Sequence, residues 1–126
     1  MISELRKRGD VGEKIAKKFL MKQGFVLVTS NYWRPFGEID LIVTKNGLVH
    51  FVEVKTIYTK TKVIYETDLY RPEDNFHEAK RKRMGKAVSS YCIENNIRAW
   101  QADLVALVIN SLQSTVKIRF IEDIVL

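Results

Sequence analysis

Residues 37–55 read GEIDLIVTKNGLVHFVEVK, and the fold turns on how this stretch is paired. Branched and aromatic residues fill Ile39 to Thr44 and Leu48 to Thr56, as strands require, and Asn46-Gly47 lies between them. Asn-Gly is the strongest short-range signal for a two-residue type I′ hairpin, because both central residues of that turn take positive φ. Lys45 then pairs with Leu48, which puts Ile42 opposite Phe51, Asp40 opposite Glu53 and Glu38 opposite Lys55. Side chains alternate along a strand with a period of two, so all six share one face.

Outward from the hairpin, Phe25 to Thr29 reads as a preceding strand. Ahead of it Asp10 and Glu13 have the spacing of a capping box, and Val11, Ile15, Ala16, Phe19 and Leu20 recur at helical spacing until Gly24 stops the pattern. A helix is predicted near residues 11–23. On the other side, Met84, Ala87, Val88, Tyr91 and Cys92 form an apolar stripe on a basic helix that starts from Phe76 and ends near Asn95 and Asn96. Leu104 to Ile109 reads as a buried strand and Val116 to Ile121 as one nearer a sheet edge. The order αβββαββ predicts an α/β domain with a mixed sheet covered by helices.

The chain has 126 residues, 46% of them hydrophobic, which suits one domain spanning residues 1–126. Its formal charge is +6 and its pI about 9.5, a balance suited to a polyanionic partner such as nucleic acid. A single cysteine, Cys92, excludes an internal disulfide framework and a Cys-rich zinc site, and points to a cytoplasmic setting. No run approaches the ~20 apolar residues of a membrane span, so no membrane association is expected.

Two opposed carboxylates on a covered face disfavour folding unless a cation compensates. Mg²⁺ is the natural candidate, since it takes oxygen ligands, uses one or two carboxylates and keeps waters; Mn²⁺ also fits. Lys55, two residues from Glu53 on the same face, reaches the same space and can orient a water near a phosphate. The alternative is structural: Lys55 pairs with Glu38, and Asp40 reaches solvent at the strand end. His50 falls on the opposite strand face, and both His50 and His77 read as structural or surface residues.

The pairing of GEIDLI with FVEVK at hairpin spacing resembles the D…ExK signature of the PD-(D/E)XK nucleases, whose core is the restriction-endonuclease-like αβββαβ fold; here a further C-terminal strand follows. GDVGEKIAKKFL, NYWRPFGEIDLIV and HFVEVKT together resemble the small bacterial YraN, or UPF0102, family, over about Arg8 to Val108. The resemblance implies Asp40 and Glu53 as metal ligands, joined by the Val54 carbonyl, Lys55 as the catalytic lysine, and Glu13 as a further acidic residue from the first helix. Glu13 also fits a purely structural role as the capping-box glutamate.

The family carries a lysine near the start of the second helix, which implies a place near substrate phosphate for Lys80. With Lys82 and Arg83 it forms a basic run that, beside a metal site, makes a phosphate track. Where the family has arginine this chain has Trp33, with Arg34 following as a substitute nucleic-acid contact. Asp103 aligns with the acid of an Arg-Phe-Asp motif that reads Gln101-Ala102-Asp103 here, its arginine absent. Residues 57–75, with several tyrosines and basic residues, suit a substrate flap, an interface or a polar loop. The expectation is a Mg²⁺- or Mn²⁺-dependent nuclease acting on nucleic acid, DNA in the first instance. A Holliday-junction resolvase, which would need a homodimer, a nucleic-acid-binding module without turnover and a protein that meets an acidic partner are the alternatives.

Overall fold

The structure is a computed structural model that describes residues 4–60 and 76–126. Its elements are α1 (Glu4–Lys22), β1 (Val26–Arg34), β2 (Gly37–Lys45), β3 (Leu48–Thr59), α2 (Glu78–Asn95), β4 (Trp100–Asn110) and β5 (Thr115–Ile121). The strands form one sheet in the order β1-β2-β3-β4-β5. Every neighbouring pair is antiparallel except β3 and β4, which run parallel. Parallel neighbours need a crossover connection, and the chain makes it through α2. The architecture is therefore mixed α/β, and β5 is the expected edge strand.

The two helices cover opposite faces. Ala16 and Leu20 of α1 pack with Leu41, Val43, Val52, Val105 and Leu107. Met84, Ala87 and Val88 of α2 pack with Ile39, Ile42, Phe51, Ala102 and Leu104. The stripe read on α2 is the one that is buried, and its end falls at Asn96, whose left-handed φ of 55° closes the helix. Asn46 and Gly47 both take positive φ, as a type I′ turn demands.

Three expectations need correction. The first helix starts at Glu4, so Asp10 lies within it and is no cap. Residues 4–8, ELRKR, are good helix formers and extend the helix past Gly9. Val11, counted in the apolar stripe, is exposed, and buried Gly12 faces the sheet instead. A Cβ at Gly12 would lie 1.9 Å from Thr56 Oγ1, so the missing side chain is what lets α1 settle onto β3. The first strand runs on to Arg34 and forms a tight hairpin with β2, Arg34 pairing with Gly37.

The third correction concerns the central register. Lys45 pairs with Leu48 and the ladder runs as expected to Leu41 opposite Val52, where it stops. Asp40 and Glu53, and Glu38 and Lys55, are not ladder pairs. Below Leu41, β2 stays with β1 while β3 stays with β4, so the sheet opens between β2 and β3. The alternation of β2 breaks at the same place, since Ile39 and Ile42 pack on the α2 face with Leu41 on the other. Asn31, opposite this point on β1, has φ 55°.

Candidate metal and nucleic-acid site

The opening leaves backbone groups of β3 without strand partners, and buried groups of this kind must be satisfied in another way. The Asp40 carboxylate does so: its Oδ2 accepts a hydrogen bond from the Val54 amide at 2.8 Å. The N–H and C=O of one strand residue point to the same side, so the Val54 carbonyl faces the same gap. Asp40 and Glu53 therefore meet across the opening, although the ladder does not pair them. Glu53 is only 2% exposed. Burial, with the adjacent Glu53 charge, raises the Asp40 carboxyl well above its ordinary pKa, against the pull of the Val54 amide and Lys80.

The cation that meets this pair is Lys80 from the start of α2, whose Nζ lies 2.5 Å from Glu53 Oε1. Burial works against its charge, but Glu53, then Asp40 and Glu38, outweigh that effect and raise its pKa. Neutralisation of Glu53 thus falls to a lysine from another element. The structural alternative, in which Lys55 would pair with Glu38, is not what forms. Lys55 continues the Glu53 face of β3, half-buried, and has no ion-pair partner among the described residues.

Gly37 explains how α2 comes so close. A Cβ there would stand 2.0 Å from the Arg83 carbonyl oxygen and 3.4 Å from Ala87 Cβ. The absent side chain lets the helix backbone lie against the start of β2, which hangs Lys80 and Arg83 over the opening. The resulting cleft, of about 210 Å³, is lined by Glu38 and Glu53, by Lys80 and Arg83 from α2, and by Trp33, Arg34 and Pro35 from the β1–β2 hairpin.

Glu13 approaches from α1. Burial raises its pKa, against Lys17 and a hydrogen bond with Asn31, while Asp10 and Glu38 push the same way as burial. Its Oε1 is buried without a hydrogen-bond partner among the described residues. With Asp10 inside the helix, a capping-box role for Glu13 is removed, and the unpartnered oxygen lies close enough to feel Glu38.

The remaining basic residues divide. Lys82 lies on the exposed face of α2, 3.4 Å from Glu78. Arg34 is engaged by Glu94 through two guanidinium nitrogens and stacks 4.3 Å over the Tyr32 ring. It borders the cleft from within that clamp.

His50 and Asp103 belong elsewhere. His50 Nδ1 donates to Asp103 Oδ2 at 2.6 Å, both residues buried, and the His50 ring sits edge-on to Phe25. Asp103 Oδ1 accepts from Gln101 Nε2 and from the Asp123 amide. The expectation of a structural His50 away from the carboxylate face agrees with this placement. Among the described residues, no three His, Cys, Asp or Glu side chains form a ready-made metal cluster. What the opening offers is two carboxylates and a backbone carbonyl.

Glu38 and Gly37 carry more of the site than sequence reasoning gave them. The signal was a glycine directly ahead of an acid at a strand start, where close approach of another backbone is a standing reason for glycine.

Residues 12–108 match the profile of a family described as uncharacterised protein family UPF0102. The chain belongs to the UPF0102 family. A UPF0102 protein of Campylobacter jejuni subsp. jejuni is 32% identical over 113 residues, covering 89% of this chain and 93% of that protein. One from Campylobacter fetus subsp. fetus is 33% identical over 117 residues, covering 92% and 91%. One from Nitratiruptor sp. is 34% identical over 109 residues, covering 83% and 86%. The UPF0102 match takes in α1 from Gly12 onward, β1 to β3, α2 and β4 as far as Val108, so the opening and its acids fall inside the family region. The expectations placed on residues 61–75 lie outside the described residues. No helix among the described residues is long and apolar enough to cross a membrane.

Proposed function

We propose that this UPF0102 protein is a Mg²⁺- or Mn²⁺-dependent nuclease that hydrolyses phosphodiester bonds of nucleic acid, DNA in the first instance. The observation that carries the reading is the meeting of Asp40 and Glu53 at the point where β2 and β3 part, with Asp40 driven toward its protonated form by burial and by its neighbour. Such a pair is poised to exchange a proton for a cation. The donor set fits the ion: carboxylate oxygens of Asp40 and Glu53 and the Val54 carbonyl facing the gap. These are hard oxygen ligands in the small number Mg²⁺ prefers.

When bound, the ion would supply a polarised phosphate and a water of lowered pKa. The chain's own residues do the rest. Asp40 and Glu53 would hold the ion with Val54, and Lys55, farther along the same face of β3, would orient the attacking water and offset charge that develops on the phosphate. Lys80 and Arg83 line the cleft where substrate phosphate would lie. Glu13 steadies the waters at the α1 side.

The Lys80–Glu53 ion pair favours one second reading. A site already neutralised by its own lysine can persist without metal, as a nucleic-acid-binding module without turnover would. One experiment separates the two. In calorimetry with Mn²⁺, Glu53→Gln should abolish binding and, in parallel assays on single-stranded, duplex, flap and four-way DNA, cleavage as well. Lys55→Ala should keep most of the metal affinity and lose cleavage. Equal loss of metal in both folded variants would reject these roles, and binding of DNA without cleavage of any substrate would favour the module. Paired cutting of four-way junctions by a dimer would extend the reading to resolvase activity.

A further inference from the structure

The β1–β2 hairpin tip carries two large aromatics that the fold does not bury. Trp33 is 62% exposed and Phe36 42%, on either side of Arg34-Pro35. Other aromatics among the described residues have ring partners: Tyr32 and Phe51 both meet Tyr91 edge-on, Phe51 meets Trp100, itself partly exposed, and Phe120 meets Phe19 and Phe25. Single exposed apolar residues need no explanation, but Trp33 also lines the cleft that holds Glu53, Lys80 and Arg83. The hairpin therefore gives that cleft an aromatic wall, and α2 gives it Lys80, paired with Glu53, and Arg83, with Glu38 of β2 also lining it.

An aromatic ring and the Arg83 guanidinium bordering one small cleft, with the ammonium of Lys80 offsetting Glu53, match a single nucleotide: base against the ring, phosphate against the guanidinium. In a duplex the faces of each base are covered by its neighbours, so a side chain at the cleft wall gains stacking only from a base that is out of the stack. We infer that Trp33, with Phe36 beside it, is a stacking platform that selects nucleic acid with unpaired nucleotides at the cleft, a single strand or the unpaired junction of a branched one. The inference rests on the nucleic-acid reading of the site and adds its substrate class. Arg34, clamped by Glu94 and stacked on Tyr32, holds the hairpin tip in position rather than contacting the strand.

The test is binding in metal-free buffer with EDTA, so that nothing is cut. The probes are a fluorescent oligothymidylate, an abasic strand of equal length and charge, and a blunt hairpin duplex. The platform predicts that oligothymidylate binds tighter than the abasic strand, and that Trp33→Ala weakens oligothymidylate alone by about 5- to 150-fold, the span expected for one stacked base. Trp33→Tyr should recover much of that loss, and Phe36→Ala should show a smaller one. In a Trp100→Phe background, oligothymidylate should quench the emission of Trp33, the other of the two tryptophans.

Equal affinity for intact and abasic strands, or a uniform loss on all three probes in Trp33→Ala, would overturn the inference. So would a dimer, seen by sedimentation without probe, that Trp33→Ala dissociates, because a second copy would then be what covers the tip. Failure of this inference and of the nuclease reading are distinguishable. Mn²⁺-dependent cleavage that Trp33→Ala leaves unchanged on single strands would sink the platform and keep the nuclease. Trp33-dependent binding of oligothymidylate by a protein that cuts nothing would keep the platform and sink the nuclease.

Discussion

Asp103 on β4 and the Asp40–Glu53 pair on β2 and β3 lie in one sheet, and the fold treats these acids in opposite ways. Asp103 is fully buried, and both its oxygens are taken: His50 on one, Gln101 and the Asp123 amide on the other. It ties β3, β4 and the segment after β5 together, and nothing about it invites a ligand. Asp40 and Glu53 meet where the ladder has ended and share the influence of one lysine, while Glu13, which feels Glu38 from α1, keeps a bare oxygen. Burial alone therefore does not distinguish a structural acid from a reactive one. The count of partners does, since a satisfied buried network rigidifies while an unpaired buried polar group is costly to keep.

The contrast can be broken most severely at Asp103. Asp103→Ala should destabilise the protein by about 3–5 kcal/mol, because it leaves His50, Gln101 and the Asp123 amide without their shared acceptor, at ~1–3 kcal/mol for each buried group so orphaned. Chemical denaturation would measure this, and a loss below ~1 kcal/mol would mean that Asp103 is not the anchor described. An intermediate effect is expected at Gly37. Gly37→Ala drives a methyl into the Arg83 carbonyl, so stability should fall by about 1–3 kcal/mol, the usual range for overpacking. Because α2 must retreat, oligonucleotide affinity should fall with stability. A variant that melts like wild type would show that the close approach is not needed.

The smallest effect, and the sharpest, is at Asp40. Its folded pKa is raised, so the folded state holds this proton more tightly than the unfolded chain does. Stability from this group is then present at acid pH and lost as pH climbs from the unfolded value near ~3.9 toward the raised folded one. In metal-free buffer, Asp40→Asn should remove that decline and leave the protein at least as stable as wild type at neutral pH. Thermal melts across pH would read it, and parallel curves for the two proteins would place the Asp40 proton elsewhere. Asp103→Ala and Asp40→Asn should thus differ in sign at neutral pH.

Much of this arrangement was legible in the residues. Asn46-Gly47 dictated the hairpin turn and the register down to Leu41, since positive φ at two adjacent positions admits few other sequences. The stripe from Met84 to Cys92 gave α2 and its buried face. The end of the ladder at Leu41 was not legible, because it depends on Asn31 adopting a left-handed φ on a different strand and on the Asp40 carboxylate taking up the Val54 amide. Nor could local spacing assign the lysine. Lys55 follows Glu53 in the strand, yet Lys80 reaches it through the packing that Gly37 permits, a tertiary fact without a periodic trace. The capping-box reading of Asp10 and Glu13 failed because a capping box and the middle of a longer helix can share the same letters.

The parallel pairing of β3 with β4 has a consequence for the order in which the site assembles. The hairpin that carries Asp40 and Glu53 is local in sequence, and such hairpins close in about 1–10 μs. Parallel pairing across a helical crossover is a slow, non-local event, and it accompanies the docking of α2. During synthesis the acidic pair can therefore form before the lysine that neutralises it has been placed, so a nascent chain passes through a stage in which only ions from the surrounding solution can balance those two charges.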